Sequence, residues 1–172
     1  LKDNKIERSS GILMPIFSLP SNYGIGSFGA RAREFVDFLY KAGQSRWQIL
    51  PMTPTNYGDS PYQSFSSFAG NPYFIDIETL IEKKLLTKAE ADSFDFGSDP
   101  VKIDYEKLYN NRLPLLKMAF SRFKGGADYK KFKEENAHWL YEYALFMALK
   151  NANGDKAWTE WQDDLRFYSP DA

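Results

Sequence analysis

No cysteine occurs in this 172-residue chain, and there is a single histidine. The first absence excludes a disulfide scaffold and thiolate chemistry, and it suits a cytoplasmic protein. Together the two leave no ordinary zinc ligand set. No apolar run approaches the roughly 18 residues of a membrane-crossing helix. Neither sign of charge is in excess. The 22 Lys and Arg against 23 Asp and Glu leave a net charge of −1, which gives no electrostatic reason to expect nucleic acid or an anionic membrane as partner. The N-terminal segment LKDNKIERSS is charged and lacks the apolar centre of a signal peptide. It opens on Leu, not Met, the expectation being a trimmed or truncated chain. There is no internal repeat and no low-complexity stretch, and nothing calls for a cofactor.

What is present is apolar and aromatic. Apolar residues make up 43% of the chain and aromatics 17%, enough for one domain with a real core. GILMPIFSLP (11–20) and RWQILPM (46–52) are apolar runs that read as buried strands. Between them, ARAREFVDFLYKAG (30–43) places Ala32, Phe35, Val36, Leu39 and Ala42 on one helical face before a Gly stop. Strand, helix and strand make a βαβ unit with a parallel pair. YFIDI (73–77) reads as a further extended segment.

Beyond it the period becomes helical. Short helices are expected over ETLIEKKLL and TKAEADSF, with Thr87 as cap and Glu90 three residues later. DYEKLYNNRLPLLKMAFSRFK should be kinked or restarted at Pro114, which lacks an amide donor. Residues 128–154 read as the longest helix, with a stripe through Phe132, Trp139, Tyr143 and Met147. Trp158, Trp161 and Leu165 recur at helical spacing.

Two loops invite a functional reading. SNYGIGSFG (21–29) gives G-x-G-x-x-G between a strand and a helix, the form of a dinucleotide cradle. The acidic residue expected about twenty positions on is missing, since RWQILPM stands there. The glycines read better as a tight turn and close backbone approach. The second loop, within NYGDSPYQSFSSFAGNPYFIDI (56–77), mixes six rings with short polar side chains. Sugars are held by just such a mixture, because hydroxyls need many donors and acceptors while a pyranose C–H face wants an aromatic plate. The loop leaves the carboxyl end of a parallel strand, where α/β proteins bind ligands. Tyr62 is the ring best placed to meet a ligand. Phe65, Phe68 and Tyr73 read as packing rings, and Asp59, Gln63 and Asn71 are among the loop's polar groups. Asp59 and Asp76, the nearby acids, do not read as a perturbed catalytic pair, and His138 reads as structural or solvent-facing.

The segments SSGILMPIFSLPSNYGIGSFG, FVDFLYKAGQSRWQILPM, GDSPYQSFSSFAGNPYFIDI and YEYALFMAL resemble the N-terminal part of bacterial amylomaltases, the 4-alpha-glucanotransferases or disproportionating enzymes. The likeness runs from about residue 8 to about 168. It implies an α/β fold, the N-terminal portion of a (β/α)8 TIM barrel over residues 8–77 followed by a mostly helical insertion subdomain over 78–172. A barrel alone takes about 250 residues, so the barrel is incomplete in this chain. The implied reaction is transfer of α-1,4-glucan segments between maltooligosaccharides by a retaining double displacement. The family's catalytic carboxylates lie downstream of the matched segments, so no catalytic residue is expected here and the chain alone is expected to be inactive. Ser60 and Tyr62 match positions lining the donor cleft, with Tyr62 stacking on sugar, and Tyr57 matches an outer glucan contact. A piece of barrel with uncovered strand edges is expected to self-associate. The same loop would also serve a non-catalytic α-glucan-binding module, and residues 78–168 a helical interaction domain.

Overall fold

The computed structural model describes residues 8–56, 58–99 and 101–169. They form two compact units that divide between Lys124 and Gly125. In the first of them Ile77, Leu86, Ala91, Leu108 and Leu115 share one core with Tyr23 and Ile25.

In the first unit, β1 (Gly11–Leu13) pairs in parallel with β2 (Arg46–Gln48), in register Gly11 to Arg46 and Leu13 to Gln48. The connecting helix is α1 (Ala30–Lys41), so the expected βαβ unit is present. Both strands are three residues long and neither is buried. The apolar runs predicted strands buried on both faces. That burial requires neighbours on both sides, and among the described residues this sheet has two strands. The buried part of the first run lies past the strand, at Ile16 and Leu19 around a short 3-10 turn. Trp47 joins this cluster edge-on to Phe35, its indole nitrogen donating to the Met14 carbonyl at 2.8 Å.

The glycine-rich loop serves packing. A Cβ on Gly26 would fall onto the backbone of Ile16 and Leu19, and one on Gly29 onto the Asp76 carboxylate. Residues 73–77 form no strand, although Ile75 and Asp76 have extended backbone angles. Pro72–Phe74 is a 3-10 turn and Asp76 caps α2 (Ile77–Glu82), its carboxylate accepting from Thr79 N. In α3 (Lys88–Asp92) the expected capping box between Thr87 and Glu90 is formed. Arg122 then grips the Glu90 carboxylate with both terminal nitrogens.

Helix α4 (Tyr105–Arg122) runs unbroken through Pro114. The missing Pro amide forgoes one helical hydrogen bond, but Leu108, Arg112, Leu115 and Ala119 bury one continuous face, and that burial holds the helix together. In the second unit the long helix is two, α5 (Ala127–Glu135) and α6 (Ala137–Ala152). Asn136 makes the break. Its amide donates to the Phe132 carbonyl at 2.8 Å and its carbonyl oxygen accepts from the Trp139 indole at 2.9 Å, side-chain bonds that compete with helix continuation. The stripe at Trp139, Tyr143 and Met147 is half-buried. Trp161, beside Phe146 with centroids 5.5 Å apart, is this unit's buried ring, and α7 (Asp163–Arg166) follows.

Candidate functional site

The loop after β2 is closed at its base by Asn71 N donating to the Met52 carbonyl at 2.8 Å. Asn71 itself is buried and its side chain accepts from Tyr73 N at 2.9 Å, so it fixes the exit of the loop. An inner turn is closed by Asn56 N to the Gln63 carbonyl at 3.2 Å, with Gln63 N to the Ser60 carbonyl at 3.1 Å. Gly58 and Asp59 take left-handed backbone angles, φ 93° and 53°. Glycine does so freely and Asp is among the residues that tolerate it, which lets the chain reverse just before Ser60.

At the tip, Tyr62 is 73% exposed, and Phe65 and Phe68 are exposed with it. The sequence reading had those two phenylalanines as packing rings. Both stand at the surface instead. Tyr73 does pack against the core. Several hydroxyls are already engaged in the loop's own turns. Ser66 Oγ accepts from the amides of Phe68 and Ala69, at 3.2 and 3.0 Å, and Ser64 Oγ donates to the Ser66 carbonyl at 2.9 Å. Ser60 Oγ accepts a long 3.4 Å bond from Tyr62 N. A hydroxyl has one donor and two acceptor positions, so Ser60 retains capacity for a ligand. Tyr57 lies outside the described residues.

Beneath the loop, Asp59 faces Thr55, Tyr73 and Tyr105 around a small cavity of about 10 Å³, at the lower limit for holding one water. Burial pushes the Asp59 carboxyl up, with a 3.5 Å bond from Thr55 Oγ1 opposing it. Burial, then the charge of Asp59, pushes Tyr73 up to about 12 and raises Tyr105 as well. Tyr105, from the start of α4, lines this cavity under a loop some 46 residues away in sequence.

A larger cleft, about 270 Å³, lies among Asn22, Ser27, Arg31, Asp76, Glu78 and Arg112. Burial opposes the charge on Asp76, but bonds from Ser27 Oγ at 2.7 Å and from Thr79 Oγ1 and N at 2.7 and 2.8 Å, with Arg112 nearby, hold it below the usual carboxylate range. Its stabilisation is therefore complete above the unfolded value of about 3.9 and is lost as pH falls through the lower folded value. In urea unfolding between pH 6 and pH 2.5, Asp76→Asn should flatten the loss of stability below about pH 4. Parallel curves for the two proteins would refute this. Arg112 is 1% exposed, and burial pulls it down to about 10. Sequence reasoning missed it, although an arginine in line with Leu108, Leu115 and Ala119 on a helical face was a visible signal. His138 is exposed near the start of α6. Among the described residues no cluster of three potential metal ligands is found, and no helix is long and apolar enough to cross a membrane.

These features define an α/β protein with a ring- and hydroxyl-bearing loop at the end of a parallel strand, the place where α/β proteins bind ligands. Comparison with known proteins makes the class specific. The chain belongs to the 4-alpha-glucanotransferase family, whose sequence model matches residues 14–172. The 4-alpha-glucanotransferase of Streptococcus pneumoniae is 51% identical over 160 residues, covering 91% of this chain and 32% of that protein. That of Thermus thermophilus is 46% identical over 168 residues, covering 94% and 33%. Among solved structures, an amylomaltase from Streptococcus agalactiae in complex with acarbose matches with a TM-score of 0.85 and 43% identity, over 92% of this chain and 32% of that one. The chain thus spans about a third of the length of the curated relatives it matches.

Proposed function

We propose that this chain is the N-terminal portion of a 4-alpha-glucanotransferase that moves α-1,4-glucan segments between maltooligosaccharides, and that the loop from residue 53 to residue 70 lines its glucan cleft. The observation that carries the reading is the exposed Tyr62 beside Ser60, on a chain that matches an acarbose-bound amylomaltase at 43% identity. In this reading β1 and β2 are the first strands of a (β/α)8 barrel, and the loop lies at the face where such barrels carry their sites. Retaining transfer needs two carboxyl groups about 5–5.5 Å apart. Asp76 is committed to capping α2, and the resemblance implies that the catalytic pair lies downstream of the matched segments. Tyr62 stacks on a sugar ring and the Ser60 hydroxyl meets a sugar hydroxyl. Tyr57, as the resemblance implies, makes an outer glucan contact.

In the complete enzyme, Tyr62→Ala should lower kcat/KM for maltotriose about tenfold or more, since a ring stacked on a planar ligand contributes roughly 1–3 kcal/mol by analogy with nucleobase stacking. Tyr62→Phe should cost much less if stacking dominates. Unchanged kinetics with an intact fold would remove Tyr62 from the cleft. Turnover by the 172-residue chain alone, abolished by Asp59→Asn, would place the catalytic acid under this loop and overturn the assignment of the carboxylates.

A further inference from the structure

Arg112 is the most buried charged side chain of the described residues, and its place is not explained by stability. Its Nη2 donates to two backbone carbonyls, Tyr73 O at 2.9 Å and Ile75 O at 2.5 Å. Its Nε and Nη1 are buried without a hydrogen-bond partner among the described residues. The guanidinium lies 5.8 Å from the centre of the Phe96 ring, and Asp76 contributes a favourable charge. A buried cation that leaves two donors unsatisfied is costly, and an apolar side chain of similar volume often packs there as well or better. What the arginine does that a methionine would not is hold those two carbonyls.

They belong to the segment that leaves the loop. Phe74 N donates to the Asn71 carbonyl at 3.0 Å, and Asn71 N closes the loop base on Met52. We propose that Arg112 is a positioning residue for the loop: by fastening the exit at Tyr73 and Ile75 it fixes Asn71, the loop base, and so the orientation of Ser60 and Tyr62. A side chain of α4 thereby sets the geometry of a loop that ends 42 residues upstream. The catalytic consequence rests on the glucan-cleft reading above. The mechanical one does not.

Two measurements separate them. Hydrogen exchange on the 172-residue chain reads the clamp directly. Arg112→Met should lower protection of the Asn71 and Asn56 amides about tenfold or more, while amides within α6 are unchanged. Arg112→Lys, which keeps the charge and a donor, should recover part of that protection. Unchanged loop protection in both variants, or an equal loss at every amide of the first unit, would overturn the clamp. In the complete enzyme, Arg112→Met and Tyr62→Ala should be non-additive in kcat/KM for maltotriose, because an unfastened loop has already lost the stacking geometry. Additive effects beside a selective loss of loop protection would leave the clamp standing and overturn its catalytic consequence. If Tyr62→Ala alone is silent, it is the glucan-cleft reading that fails.

Discussion

Leu115→Ala is expected to lower the stability of the first unit by about 2–5 kcal/mol. Leu115 is fully buried on α4, at the centre of the core that joins Tyr23 and Ile25 to α2 and α3. Removing three carbons there loses the transfer energy of the side chain and leaves a cavity that surrounding backbone, pinned by the Arg112 carbonyl bonds, cannot easily close. A domain of this size has about 5–15 kcal/mol in total, so the variant should unfold at far lower urea. Because the chain has two compact units, the measurement should follow amides in α4 and not a global signal. A loss under about 1 kcal/mol would mean that the site collapses or repacks freely.

The second large effect concerns the sheet. Ile12 and Leu13 on β1 are 42% and 55% exposed, and Phe38 on α1 is 60% exposed. Each strand of the pair has one edge with no strand partner among the described residues. Burying a Leu, Ile or Phe contributes roughly 1.5–3 kcal/mol, and an open apolar edge is a template for another chain. The isolated 172-residue chain should therefore associate with a second copy through this surface at micromolar concentration. Sedimentation velocity should give a weight-average mass that rises with concentration. A compact monomer with strongly protected amides over 12–19 and 47–52 would refute the association.

Much of this architecture was legible in the sequence. The βαβ unit, the Thr87–Glu90 cap and the surface loop are written in local signals: apolar runs, a 3.6-residue stripe, capping residues at fixed spacing. The failures come from groups whose partners are far along the chain or unusually local. Pro114 was expected to kink or restart a helix, but the face through Leu108 and Leu115 carries it through. Asn136 breaks a helix that periodicity alone continues, by bonding its own neighbours. At the candidate site, the exposure of Tyr62 was legible because a ring between Pro61 and Gln63 has no core to join. The burial of Asp59 was not, because part of its surroundings comes from the distant Tyr105, and the partners of Arg112 were not, because nothing near Tyr73 or Ile75 in sequence announces which side chain will reach their carbonyls.

That last separation has a consequence for how the chain is made. Ile75 precedes its clamp by 37 residues. At a synthesis rate of about 5–20 residues per second, the ribosome takes roughly 2–7 s to supply Arg112 after Ile75. During that interval β1, α1, β2 and the loop exist as a nascent chain whose ring-rich tip cannot yet be fastened. Vectorial synthesis thus delivers the loop first and its anchor second. It is over this interval that a chaperone would find Tyr62, Phe65 and Phe68 on an unanchored segment.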